Sequence, residues 1–257
     1  MIFILGGEGY VGQAYAKLIT ALGKPFAIIT RSNYQDFVGQ SCEVLINANG
    51  NSKKFLSDRD PMWDFDASVA SVVRSIENFK AERYVLLSSG DVYPEQSSPD
   101  VTRENLELDT RRMSRYGLHK RMAEIMALSV HPRALVMRMG GFVGPGMKKN
   151  AIFDMLNDQM VWLHPDSELQ FISTDAAARL VWSLIDRGVE GEIVNLGATG
   201  TVRIGTLHKR IRSHAQFADN PRKVRFELST ERLRHLSGVD LPSSEDEVET
   251  FLRSVAR

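Results

Sequence analysis

Six short apolar runs alternate along this chain with segments of helical periodicity. The runs are IFIL (2–5), FAIIT (26–30), EVLIN (43–47), RYVLLSS (83–89), ALVMR (134–138) and EIVNL (192–196). They are apolar on both faces, which is the pattern of strands covered from above and below in a parallel sheet. Between them lie YVGQAYAKLITAL (10–22), FDASVASVVRSIENF (65–79), SRYGLHKRMAEIMALS (114–129) and TDAAARLVWSLIDR (174–187). Each carries apolar residues three and four apart, the mark of a helix with one buried face. Parallel neighbours need long crossovers, and helices of this length supply them. The alternation therefore predicts an α/β fold with a Rossmann-like, doubly wound parallel sheet.

The first strand runs straight into GGEGYVG (6–12). A strand, a glycine-rich turn and a helix are the context of a dinucleotide-binding loop. One glycine permits the tight turn, one lets backbone approach a pyrophosphate, and one lets the helix pack against the strand. The helix N-terminus then presents free N–H groups to the phosphates. Two spacings fit: Gly7, Gly9 and Gly12, or Gly6, Gly9 and Gly12, with Tyr10 and Val11 inside the loop. The second strand ends in Thr30, Arg31 and Ser32, with no acidic residue to hold ribose hydroxyls. Arg31 has the planar donor fork that suits a 2′-phosphate, so NADP is preferred over NAD.

Tyr116 and Lys120 share a helix face in YGLHK, on the helix after the fourth strand. That strand ends in SSGDVYP (88–94), and the fifth leads into RMGGFVGPG (138–146). With ISTDAAARLV (172–181) and EIVNLGATGTVRI (192–204), these segments follow one another in the order of a known family. The chain resembles the extended short-chain dehydrogenase/reductase superfamily, in its nucleotide-sugar epimerase/dehydratase group. The resemblance spans residues 1 to about 205 and selects the Gly6, Gly9, Gly12 spacing, although Leu5 stands where the family often has Thr. It implies that Tyr116 is the general acid/base and that Lys120 lowers the tyrosine's pKa and holds the cofactor ribose. It implies that Ser89 hydrogen-bonds the reacting oxygen. INANG (46–50) is similar to the matching segment of reductases acting on dTDP-linked 4-keto deoxysugars, which places Asn47, Ala48 and Asn49 along the cofactor ribose.

Three departures bear on the chemistry. Sugar-nucleotide 4,6-dehydratases resembling this chain carry an Asp-Glu pair after the Ser/Thr, where this chain has Gly90 and Asp91. Gly90 has no proton to give; Asp91 is a candidate for acid/base work or for capping its turn. Gly141 stands where the family often has Asn, removing a polar contact near the substrate diphosphate. The link from Ser32 to Cys42 is short, leaving little room for the usual helix and adenine-contacting loop. A diphosphate needs cations, and Lys148, Lys149 and Arg203 are candidates, with Arg210 beside them. The six histidines show no metal-ligand spacing, so no metal is expected; His119 is expected to point away from Tyr116 and Lys120.

Lys and Arg together number 32, as do Asp and Glu, which gives no pull toward nucleic acid or anionic membrane. Cys42 is the single cysteine, so no internal disulfide is possible, and a cytoplasmic protein is expected. No apolar run approaches the length of a membrane span. The expected division is a cofactor-binding part over 1–139, with 140–257 adding the last sheet strands and a small substrate lobe. The expected activity is NAD(P)-dependent 4-keto reduction on a nucleotide sugar or related keto/hydroxy compound. An epimerase with tightly bound NAD and a non-catalytic NAD(P)-binding regulator are the alternatives. The resemblance further implies a homodimer formed through the Tyr116 helix and the preceding crossover.

Overall fold

The computed structural model describes residues 1–255. Its first half runs β1 (Ile2–Leu5), α1 (Gly12–Ala21), β2 (Phe26–Ile29), α2 (Tyr34–Phe37), β3 (Ser41–Asn47), α3 (Leu56–Arg59), α4 (Pro61–Phe65), α5 (Ser71–Asn78), β4 (Lys80–Ser89), α6 (Arg115–Val130) and β5 (Leu135–Met139). The second runs β6 (Gly141–Val143), α7 (Ala151–Leu156), β7 (Val161–Leu163), β8 (Glu168–Leu169), β9 (Phe171–Ser173), α8 (Thr174–Asp186), β10 (Ile193–Leu196), β11 (Val202–Arg203), α9 (Ile204–Ile211), β12 (Phe217–Arg222), β13 (Arg225–Phe226), α10 (Glu231–Ser237) and α11 (Ser244–Val255). All six predicted strands and all four predicted helices form. The third helix segment, 65–79, is interrupted by a π-helical turn at Asp66–Ala70, between α4 and α5.

The six strands make one parallel sheet in the order β2-β1-β3-β4-β5-β10. Alternation decides which side each residue serves. Ile2 and Ile4 join Val44, Ile46, Val85 and Leu87 against α1 and α8. Phe3 and Leu5 join Leu45, Leu86 and Val136 against α5 and α6. Each such aliphatic side chain stabilises the fold by about 1.5–3 kcal/mol relative to exposure.

The strand order departs from the 3-2-1-4-5-6 order of dinucleotide-binding folds. After β2 the chain makes one helical turn, α2, and crosses directly to the far side of β1. The short link noted in the sequence thus removes an outer strand and its helix, and β2 becomes the sheet edge. The topological switch point falls between β1 and β3, as in the 2-1-3-4-5 doubly wound order. The loops leaving β1 and β3 therefore stand side by side.

The later chain builds a lobe from small strand pairings, β11-β8-β13, β12-β7 and β6-β9, around a separate cluster that includes Val143, Ile152, Phe171 and Phe251. Ser243 caps α11, its hydroxyl accepting the Asp246 N–H at 3.0 Å, and Glu245, Asp246 and Glu247 occupy the first turn. Among the described residues no helix is long and apolar enough to cross a membrane.

Candidate active site

The loop after β1 resolves the two glycine spacings. Gly6 has φ +78°, a left-handed conformation that favours glycine. A Cβ on Gly12 would lie 2.2 Å from the Gly6 carbonyl oxygen, and one on Gly9 would lie 3.1 Å from it. Gly7 is not in a left-handed conformation and faces only the Ile28 and Ile4 side chains. Gly6, Gly9 and Gly12 thus form a bare backbone cradle ending at the N-terminus of α1, and its shape fits a pyrophosphate. Tyr10 lies inside the loop. Its buried hydroxyl has no partner among the described residues, and its ring lines a cavity of about 190 Å³ with Gln13, Lys17, Pro145 and Thr174.

Ser89 ends β4, and Tyr116 and Lys120 lie on the first turns of α6. Ser114 caps that helix, its hydroxyl accepting the Gly117 N–H at 3.1 Å. Gly117 sets how near the helix comes: a Cβ there would lie 2.1 Å from the Asp91 carbonyl oxygen. The glycine in YGLHK therefore brings the Tyr116 turn against the turn that follows Ser89. The Ser89 hydroxyl donates to Asp91 Oδ2 at 2.8 Å, and the Asp91 carboxylate also pairs with Lys54 Nζ at 2.6 Å. Asp91 thus joins the site. A Cβ on Gly90 would come within 2.9 Å of both Leu228 and Phe226, so the C-terminal lobe fills the space an aspartate would need there.

The Tyr116 hydroxyl donates to the Asn51 carbonyl at 3.2 Å. Lys120 Nζ lies 6.0 Å from the Tyr116 ring centre, and a Cβ on Gly50 would lie 3.0 Å from that nitrogen. Lys120 is only 5% exposed, yet among the described residues no acceptor hydrogen-bonds its ammonium. Three donors beside Gly50, in the loop that follows β3, fit the hydroxyls of a cofactor ribose. Burial pushes the Tyr116 phenol above its ordinary value, Asp91 and Asp64 push the same way, and Ser89 pulls against them. The phenol is thus raised by these surroundings, whereas the resemblance implied a lowered one. Burial pulls Lys120 below its ordinary range, opposed by Asp64, Glu124 and Asp91.

Two buried groups that no sequence pattern revealed stand behind these residues. Asp64 accepts from Asn51 Nδ2 at 2.8 Å and from Ser68 Oγ at 3.1 Å, and lies 2.7 Å from His119 Nδ1. His119 packs against Asp64, a carboxylate whose charge acts on both Tyr116 and Lys120. Glu124, one turn beyond Lys120, receives Arg138 in a two-pronged pair at 3.0 and 2.8 Å and the Ser88 hydroxyl at 2.6 Å. Arg138 also donates to Tyr93 Oη at 2.8 Å, and Tyr93 donates to Asn195 Oδ1 at 2.9 Å. Burial works against the Arg138 charge, and Glu124 outweighs it, leaving the guanidinium more firmly protonated than usual.

Several expected contacts are redirected. Asn47 faces inward: its Nδ2 donates to Tyr84 Oη at 2.7 Å and Ser75 Oγ at 3.2 Å, and its Oδ1 accepts the Asn49 N–H. The side chain is an anchor for the strand end, which leaves Ala48 and Asn49 at the loop. Gly141 cannot carry a contact, since a Cβ there would lie 2.6 Å from the Gln170 carbonyl oxygen. Arg203 pairs with Asp166 and Arg210 with Glu245, away from the residues around Tyr116. Lys149 is brought near: partial desolvation, then Lys54 and Lys53, lower its pKa, with Asp91 opposing. Lys148 is exposed, as is Arg31, which has no partner among the described residues.

The model of the NAD dependent epimerase/dehydratase family matches residues 2–197. Comparison with curated proteins finds no match by sequence. Among solved structures, MoeE5 in complex with UDP-glucuronic acid and NAD superposes with a TM-score of 0.84 at 15% identity, covering 100% of this chain and 99% of that one. A UDP-galactose 4-epimerase gives 0.81 at 18% identity, covering 99% and 98%. RMD from Pseudomonas aeruginosa complexed with NADPH gives 0.79 at 17% identity, covering 98% and 99%. At these identities the likeness is one of fold.

Proposed function

Because this chain belongs to the NAD dependent epimerase/dehydratase family, we propose that it is an NAD(P)-dependent oxidoreductase of nucleotide sugars that reduces a 4-keto group. The observation that carries this reading is the meeting of three buried groups, the Tyr116 hydroxyl, Lys120 with its Nζ 6.0 Å from the Tyr116 ring centre, and Ser89 on the turn against which Gly117 sets the helix; burial with Asp91 and Asp64 raises the phenol. A group in that state suits the proton donor of a carbonyl reduction. The absent side chain at Gly90 argues against dehydration through an acid at that position. The trimmed crossover offers less surface to the adenosine half, which suits a cofactor that exchanges each turnover.

In this reading the glycine cradle and the α1 N-terminus hold the pyrophosphate, and Lys120 holds the ribose hydroxyls. Bound nicotinamide supplies the hydride. Ser89 turns its hydroxyl from Asp91 to the substrate carbonyl oxygen and orients it. Tyr116 passes its proton to that oxygen as the carbon becomes tetrahedral, leaving an alcohol and a phenolate stabilised by the Lys120 ammonium. Lys54 and Lys149 meet the anionic part of the substrate.

The test is purified protein analysed for bound nucleotide and assayed with a dTDP-linked 4-keto-6-deoxysugar. NADPH oxidation without stoichiometric bound NAD is expected. Stoichiometric NAD with epimer formation from a UDP-sugar overturns the reduction, and no turnover on any nucleotide sugar favours the regulator. Arg31 is assigned the 2′-phosphate of NADP. Arg31→Ala is expected to weaken NADPH binding by about 10–100-fold and NADH binding little, the scale of a lost charge-assisted hydrogen bond. Equal effects on both cofactors in a fluorescence titration refute the assignment. A homodimer through α4 and α6 is also proposed, since both leave large apolar residues exposed, among them Met62 and Ile125; light scattering reads the mass.

A further inference from the structure

Asp64 is fully buried and binds three elements at once: the loop after β3 through Asn51, the π-helical turn through Ser68, and the catalytic helix through His119. π-turns inserted in α-helices occur often at functional sites. The Asn51 it holds is nearly as buried, at 4% exposure. Asn51 Oδ1 accepts the Lys53 N–H at 2.7 Å and its Nδ2 reaches the Lys53 carbonyl, so its side chain ties the loop back on itself before meeting Asp64. The Asn51 main-chain oxygen takes the Tyr116 hydroxyl, and Gly50 lies against Lys120. The same loop reaches Asp91 through Lys54.

We propose that Asp64 is a positioning residue: through Asn51 it holds segment 50–54 against the Tyr116 hydroxyl and the Lys120 ammonium. The proposal rests on the catalytic reading of Tyr116 and Lys120. An amide carbonyl cannot serve as the proton's destination in turnover. The Tyr116–Asn51 bond must therefore be exchanged for one to the reacting oxygen, and the grip of Asp64 on Asn51 sets how readily segment 50–54 yields. The Asp64 charge acts with a definite sign. Facing Lys120 and Tyr116 are Asp64, Asp91 and Glu124, with His119 against Asp64 and Lys54 against Asp91. Burial disfavours the ammonium, and Asp64 is the foremost group opposing that loss. Removing its charge lowers the pKa of Lys120. It also removes one of the charges that keep the phenol protonated. Both changes move the alkaline limit of a reduction that needs ammonium and phenol to lower pH.

The experiment needs no substrate. Protein carrying ¹³Cε-lysine is titrated by NMR, with the Lys120 signal assigned by its loss in Lys120→Met, and amide hydrogen exchange is followed across residues 50–55. In Asp64→Asn, Lys120 is expected to titrate about 1 pH unit or more below its value in the unaltered protein. Ser68→Ala, which removes a hydrogen bond from the same carboxylate and keeps the charge, should leave that titration in place. In Asn51→Ala, exchange over 50–55 is expected to rise about 10-fold or more, since the anchor to a buried carboxylate is gone. Coincident Lys120 titrations in Asp64→Asn and the unaltered protein overturn the charge role. Unchanged exchange in Asn51→Ala overturns the positioning role, and stays informative if Asp64→Asn does not fold. Loss of the catalytic reading would show separately, as full activity in Tyr116→Phe.

Discussion

Tyr116→Phe is expected to lower kcat by about 10²–10⁴-fold, the usual worth of a positioned proton donor, while the fold and cofactor affinity stay. The substitution removes one oxygen from a side chain 8% exposed and otherwise packed as before. It removes the hydrogen bond to the Asn51 carbonyl and the contact with Ser89, so the expected stability cost is about 1 kcal/mol. The size of the rate loss follows from the tyrosine's place. Ser89 can orient an oxygen, but Asp91, 2.8 Å from its hydroxyl, repels the negative charge that giving up its own proton would leave. Lys120 sits near the phenol, so the charge that appears on Tyr116 is met by a cation already in position. The pH behaviour follows as well. A donor must be protonated, and burial with Asp91 and Asp64 raises this phenol above its ordinary value. Reduction should therefore lose no activity to Tyr116 ionisation through neutral pH. Wild-type kcat in Tyr116→Phe, measured as NADPH oxidation on the accepted nucleotide sugar, would sink the mechanism.

Glu124→Ala is expected to carry the largest stability loss, about 3–5 kcal/mol, because it strands a buried guanidinium. For a chain of this size that is a fall in melting temperature of roughly 6–20 °C. Arg138 is 1% exposed and Glu124 fully buried, so water cannot replace the lost partner without opening the core. Ser88 loses its acceptor at the same time. The double variant Glu124→Leu with Arg138→Met removes both charges and should be milder than Glu124→Ala alone. Calorimetry on the three proteins decides it: a Glu124→Ala melt within a degree or two of the parent would mean that the pair is not buried as described. The loss would extend to activity. Glu124 lies one turn below Lys120 on α6 while Ser88 precedes Ser89 on β4, so this pair keys the helix carrying Tyr116 and Lys120 to the strand carrying Ser89.

The parts of this architecture that were legible in the chain are those written locally. Strands apolar on both faces, such as IFIL and RYVLLSS, declare a covered sheet, and Tyr116 and Lys120 are four residues apart on one helix. The glycine cradle was legible for the same reason, and its geometry chose between two spacings that the letters alone left open. What escaped depends on distance along the chain. Asp64 and His119 are separated by 55 residues and Tyr116 and Asn51 by 65, and an isolated Asp or Asn in a polar stretch carries no sign of its partner. Asn47 illustrates the limit from the other side. Its place at the end of the third strand suggested a lining residue, but Tyr84 and Ser75, brought by other elements, offered it a buried set of partners. The short β2–β3 link was visible, whereas the reordering of strands it forces appears only once β3 pairs with β1.

A sheet that stops at β2 leaves a row of backbone donors and acceptors open to any passing strand, the usual opening for aggregation. Here the liability is contained. The edge strand has only four residues, Lys24 and Pro25 stand at its start, and Arg31 follows shortly after its end. Proline removes a donor, and the two cations repel a second copy laid alongside in the same register. Beyond the strand, Asn33 curls the chain away, its Oδ1 accepting the Thr30 N–H at 2.7 Å and its Nδ2 donating to the Ile28 carbonyl at 3.0 Å. Two of the ladder groups a foreign strand would need are thus already occupied, so the open flank of the sheet offers a second copy little to pair with.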